Sequence, residues 1–275
     1  GIVLGADVTL ENLNLALPNS VNRAIIANGH TLTLRNVKYD KKSTGINLPL
    51  FCGKLDSTSS QATSGNHGTI IMQDCTEFGN IYAGNLSDSG TDSSSTLSAT
   101  VTIESGSANT ATGIYGCGGT LTGPAASSIV TGDVTFKLYH TAVSNVDGTT
   151  GGSQNASVEY RGPADLNALL QIKNVTSLSL QSPVSLKPAA GSDLSGANLS
   201  VPAGTTLNVA SLTTNPTVNN FAGGGTLVLG EKQQLTINGT VSGETKVGIK
   251  SILSGASQGS AGVGDILIHA PNSQD

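Results

Sequence analysis

The chain is a succession of short runs in which apolar and polar residues alternate, each closed by Gly, Asn, Asp or Pro. Alternation with a period of two puts successive side chains on opposite faces of a strand, and the closing residues supply turns. In ADVTLENLNLAL, Val8 and Leu10 fall on one face and Thr9 and Glu11 on the other. In NGHTLTLRNV, Leu32 and Leu34 point one way while Thr31, Thr33 and Arg35 point the other. The pattern returns in GTIIMQDC, SATVTIESG, TGDVTFKLYH and ASVEYRG, and then through the C-terminal half in pairs such as Leu178 with Leu180 and Leu207 with Val209. Helical signal is confined to residues 164–175, where Pro163 and Asp165 can start a turn or two; the tail, 170–175, reads equally as a strand.

The runs recur at a fixed interval. Thr69 and Thr100 stand at matching places 31 residues apart, and Val101 and Val134 are 33 apart. Each unit has a strand, a polar step, a short apolar pair and a glycine turn, followed by a Ser/Thr/Gly-rich stretch of varying length. A repeat of this size cannot bury its own apolar face, so stacking of coils has to make the core. The inward residues are Leu, Val and Ile with almost no aromatics, which suits a narrow core closed by a coiling chain. The predicted fold is therefore all-β: a parallel β-helix, a right-handed solenoid with irregular loop excursions. A pair of β-sandwiches is the alternative, although a sandwich needs longer strands and larger inward residues. One domain over 1–275 is expected, irregular over about 1–174, more regular over about 175–250, with a tail at 251–275.

The same periodicity frames the stretch TGIYGCGG and its earlier echo, FGNIYAGN. Tyr82 and Tyr115 are 33 residues apart, so they should stack one coil above the other, about 4.8 Å apart. Ile81 and Ile114 would then stack in the core, with both tyrosines on the outer face and Asp147 taking the position on the third coil. The glycines lack the helix and lysine of a phosphate cradle and read as coil corners.

Charge narrows the function classes. Only 11% of residues are charged, and the net charge is −5 with 13 basic and 18 acidic residues. No basic stripe exists to neutralise a phosphate backbone, so nucleic acid is not an expected partner. No apolar run approaches the roughly 20 residues that span a bilayer. No leader is visible and the first residue is not methionine, so the sequence reads as an excised or mature segment. Cys52, Cys75 and Cys117 are too few for a disulfide scaffold or a zinc site and read as buried fillers, with a single Cys52–Cys75 bridge as the alternative. The histidines His30, His67, His140 and His269 are dispersed, so neither a metal nor any other cofactor is expected.

The search for chemistry leaves two groups. Asp74, Glu77 and Glu104 are the weak catalytic candidates; a glycosidase needs carboxylates converging on one face, and the alternation places Asp74 on the face of Met72. The ligand-binding candidates are Tyr82, Tyr115, Asp133, Lys137 and Tyr139. In GDVTFKLYH, Val134, Phe136 and Leu138 should face the core, while Asp133, Lys137 and Tyr139 face outward together, with Tyr139 able to stack on a sugar. The long polar excursions at 40–68, 86–99, 106–112 and 147–157 offer hydrogen-bonding surface.

AIIANGHTLTLRNV at 24–37, NIYAGN and GIYGCGG resemble the opening coils and recurring turns of bacterial cell-surface parallel β-helix proteins, adhesin-like and pectate-lyase-like in architecture. The resemblance covers about residues 20–250 and implies a secreted or cell-surface location. It also implies a structural or adhesin-like module, more non-catalytic than enzymatic, that meets a carbohydrate or a cell-surface protein. A polysaccharide hydrolase or lyase and a passive spacer stalk are the alternatives.

Overall fold

The computed structural model describes residues 1–17, 23–41, 47–55, 67–87, 97–104, 113–125, 128–139, 143–149, 155–162, 170–230, 233–249 and 268–269. Two compact units divide the chain, Gly1–Ser157 and Val158–Asp275.

In the first unit the long strands stack in chain order, all parallel: β2 (Val8–Leu15), β4 (Thr31–Tyr39), β6 (His67–Gln73), β8 (Ser98–Ile103) and β12 (Val134–Leu138). The shorter strands between them pair in the same way: β1 (Ile2–Val3), β3 (Ile25–Ile26), β5 (Leu48–Phe51), β7 (Phe78–Tyr82), β9 (Ile114–Tyr115) and β13 (Asn145–Asp147). One short and one long strand make one coil, and the ladder partner of each strand is the equivalent strand one coil on. β10 (Gly118–Gly119) and β11 (Pro124–Ala125) form an antiparallel hairpin. A sandwich would be built from antiparallel ladders throughout, so that alternative falls.

The register makes the core. Val8, Leu32, Ile70, Val101 and Phe136 form one inward column, and Leu10, Leu34, Met72, Ile103 and Leu138 form the next. From Leu32 and Leu34 onward these side chains are buried, whereas Val8 and Leu10, on the outermost strand, are half-buried. Removing each such side chain from water contributes about 1.5–3 kcal/mol. Val134, Phe136 and Leu138 face inward as the alternation predicts.

Alternation breaks at one level of the stack, on three coils. Asn12, Asn36 and Asp74 have φ of 54°, 49° and 52°. Asn and Asp tolerate this left-handed conformation better than other side chains with a Cβ. One such residue shifts the inward phase by one position, from Leu32 and Leu34 to Val37 and Tyr39. The same shift at Asp74 sends Cys75 into the core, so Asp74 does not share the face of Met72. Asn36 Nδ2 donates to Asn12 Oδ1 at 2.8 Å, tying the bends together.

β14 (Ala156–Tyr160) runs across the boundary between the units. In the second unit, after β15 (Gln171–Lys173), coils are shorter and carry up to three strands. One set is β16 (Ser177–Leu180), β18 (Asn198–Ser200), β21 (Phe221–Ala222) and β24 (Val241–Ser242). A second is β17 (Ser185–Leu186), β19 (Thr206–Asn208), β22 (Thr226–Leu229) and β25 (Lys246–Ile249). A third is β20 (Thr217–Val218), β23 (Leu235–Ile237) and β26 (Ile268–His269). Leu186, Leu207, Leu227 and Val247 stand in register, 21, 20 and 20 residues apart. Amides fasten one corner: Asn220 Nδ2 donates to Asn198 Oδ1 at 2.7 Å, and the Thr240 amide donates to Asn220 Oδ1 at 2.8 Å.

The architecture is thus all-β and mostly parallel, a solenoid-like stack whose sheets are of unequal size. Of the helical stretch expected near 164–175, Gln171–Lys173 is a strand, and 163–169 lie outside the described residues.

Two substitutions test this frame. Phe136→Ala should cost about 3–5 kcal/mol, since a buried ring leaves a cavity between coils. Asn36→Val should cost roughly 1–2 kcal/mol for its left-handed backbone, whereas Asn36→Gly, which adopts that backbone freely, should stay close to the parent. Urea unfolding followed by circular dichroism reads both.

Candidate functional site

The repeated Ile-Tyr motif is built as the spacing predicts, in part. Ile81 pairs with Ile114 and Tyr82 with Tyr115, and Val146 and Asp147 follow on the next coil. The ring centroids of Tyr82 and Tyr115 are 5.4 Å apart and stacked, and Phe51 extends the column at 4.7 Å from Tyr82. The column does not lie open on an outer face, however. Tyr82 is 1% exposed, packed in a side core with Ala24, Ile26, Phe51 and Leu86. Leu55, Leu86 and Leu121, which follow the short strands on successive coils, close over it. Asn80 Nδ2 donates to its hydroxyl at 2.9 Å. Tyr115, at the end of the column, is half-buried.

The glycines of the motif serve this packing. A Cβ on Gly119 would meet the Tyr82 ring at 2.5 Å, and one on Gly84 would meet the Gly118 nitrogen at 2.6 Å. Their φ angles are not positive; close approach of coils, rather than a special turn, excludes a side chain.

On and beside β12, Asp133, just before the strand, is exposed, and Lys137 and Tyr139, the latter just after it, are half-buried. Asp133 Oδ1 accepts from the Asn155 amide at 3.3 Å and from Asn155 Nδ2 at 3.2 Å, fastening the next turn. His140 and parts of the excursions at 40–68, 86–99, 106–112 and 147–157 lie outside the described residues.

The three carboxylate candidates are placed differently. Asp74 sits at the bend after β6, Glu77 has a positive φ of 69° and forms an ion pair with Lys41, and Glu104 follows β8, where its amide donates to the Met72 carbonyl. Asp74 and Glu77 line adjoining parts of one groove, and Glu104 lines neither part.

That groove is a concavity of the first unit in two adjoining parts. Its larger part, about 710 Å3, is lined by Asn12, Leu13, Asn14, Asn36, Val37, Lys38, Asp74 and Thr76. The smaller part, about 340 Å3, is lined by Asn14, Lys38, Tyr39, Asp40, Lys41 and Glu77. It exists because the three left-handed residues bend their strands at the same level, so the strand ends turn away and leave a re-entrant polar surface. Asn12, Asn14, Asn36, Lys38 and Lys41 were not singled out from the sequence. The alignable triplets Glu-Asn-Leu, Arg-Asn-Val and Gln-Asp-Cys, each ending on an inward residue, carry the signal for the bend.

Among the described residues, no three of His, Cys, Asp and Glu come together as a metal-holding group, and no helix is long and apolar enough to cross a membrane. The chain matches no protein-family model, no curated protein and no solved structure.

All three cysteines are buried and none forms a disulfide, which removes the Cys52–Cys75 bridge. Burial pushes the Cys117 thiol up to about 11, helped by the nearby Asp147 carboxylate, and raises Cys52 and Cys75 as well. Burial also pushes the Tyr82 phenol up to about 12. Unfolded thiols and phenols titrate near 8.5 and 10, so above about pH 8 the unfolded chain releases protons that the folded one keeps. Stability should therefore hold below about pH 8 and fall as pH rises from there towards 12. Urea midpoints across that range read the fall. At pH 8 a thiol reagent should label no cysteine in the folded protein and all three in urea.

Proposed function

We propose that this chain is a right-handed parallel β-helix module of a secreted or cell-surface protein, holding a polar binding surface on a rigid stack in an adhesin-like role. The observation that carries the reading is the groove at the bend of β2, β4 and β6: a polar, open recess spanning three coils, floored by amides and charged groups. A recess fixed by ladder register is preorganised, so a ligand meets side chains that are already in place. The right hand follows the strong general preference of parallel crossovers. A coat of neutral polar side chains and a net charge of −5 suit an exposed, soluble surface rather than a phosphate-binding one.

The carboxylates give the enzymatic alternative little support, because Glu77 is engaged by Lys41 and Glu104 stands outside the groove. Lys137 and Tyr139 on β12, with the half-buried Tyr115, remain secondary contact points of the same surface module.

Purified protein applied to a glycan array and to immobilised cell-surface proteins tests the reading. Saturable binding is expected, weak for one copy and strengthened about a hundredfold or more by multivalent display. A passive spacer would bind neither set at any valency.

A further inference from the structure

We propose that the groove beside Asn12, Asn36 and Asp74 binds a neutral glycan laid along the stack, with successive sugars meeting successive coils. This rests on the surface-module reading and names the ligand class of its groove.

The two parts of the groove share Asn14 and Lys38 and are lined from three coils, by residues of β2 and β4 and by Asp74, Thr76 and Glu77 after β6. Asn12 and Asn36 keep polar atoms for a ligand. Asn36 Nδ2 donates to Asn12 Oδ1, which leaves Asn12 Nδ2 as a donor and Asn36 Oδ1 as an acceptor for a ligand. Lys38 forms no ion pair among the described residues. In the row Asn12, Asn36 and Asp74, the Asn12 donor and the Asn36 acceptor on adjacent coils match hydroxyl groups, each of which both gives and accepts a hydrogen bond. The row repeats about every 4.8 Å, the spacing of adjacent strands, close to the advance of one sugar along an extended glycan.

Charge selects the neutral class. Asp40, Asp74 and Glu77 outnumber Lys38 and Lys41 in the groove, and the whole chain carries −5, so a polyanionic glycan is repelled. An extended peptide is disfavoured for a different reason. It adds as a strand to a free edge, which here is the outer edge of β2, and would run parallel to the strands rather than from coil to coil, since β4 is paired on both sides with β2 and β6.

Calorimetric titration with cellohexaose, mannohexaose, laminarihexaose and hexagalacturonate tests the proposal on the parent, Asn36→Gly, Lys38→Ala and a remote control, Ser242→Ala. Asn36→Gly keeps the left-handed backbone while removing the amide, and melting temperatures verify that every variant is folded. At least one neutral hexasaccharide should bind. Asn36→Gly and Lys38→Ala should each weaken it by about fivefold, the worth of one ordinary hydrogen bond, with Ser242→Ala unchanged. Neutral binding that ignores both groove variants would overturn the groove assignment and leave the surface-module reading standing. Tighter binding of hexagalacturonate would overturn the neutral class. No binding of any probe at millimolar concentration would overturn the proposal, and binding to the immobilised cell-surface proteins would then decide the broader reading separately.

Discussion

Everything in this molecule depends on parallel ladders that pair equivalent positions of successive coils, with a shift between Leu48 and Leu50 where β5 meets β7. Because equivalent positions meet, each side chain spends its contacts on its own counterpart about 4.8 Å away. Aliphatic residues make the core columns, amides make corner ladders, and aromatic rings stack as Phe51, Tyr82 and Tyr115 do. A slip of one residue would turn an entire column out to water. Core, corners and surface are therefore consequences of one register.

The left-handed residues act within that constraint. A single Asn12 would merely kink an edge strand. Repeated at Asn36 and Asp74, the same backbone angle bends three neighbouring strands together, so hydrogen bonding continues while the faces exchange phase. The groove is the outer side of that shared bend. Its shape follows from backbone conformation, and its chemistry from the residues that tolerate the conformation, since Asn and Asp bring polar groups wherever they satisfy φ.

Much of this was legible in the sequence because period-two alternation and coil spacing are direct images of strand faces and ladder partners. Val134, Phe136 and Leu138 were readable as core, Tyr82 and Tyr115 as partners, and Asp147 as their successor on the next coil. The failures share a cause. Alternation assumes that every residue is extended, so it misplaced Asp74 and hid the bend at Asn12 and Asn36. Tyr82 was expected outside because a coil's outer face is ordinarily solvent; the leucines packed against its cluster include Leu55 and Leu86, which bridge each other 31 residues apart, a coil spacing outside the alternating runs. The glycines around it were read as turn formers, although close approach of neighbouring backbones is what requires them.

The near-constant spacing of Leu186, Leu207, Leu227 and Val247 has a consequence for how such a chain changes over time. A duplication or deletion of one full turn there copies or removes a rung while its neighbours find equivalent partners, so length can vary in quanta. Any other insertion cannot enter the ladder and must bulge outward between strands. Coil lengths in the first unit, 24 residues from Val8 to Leu32, 38 from Leu32 to Ile70 and 31 from Ile70 to Val101, vary as such insertions make them vary.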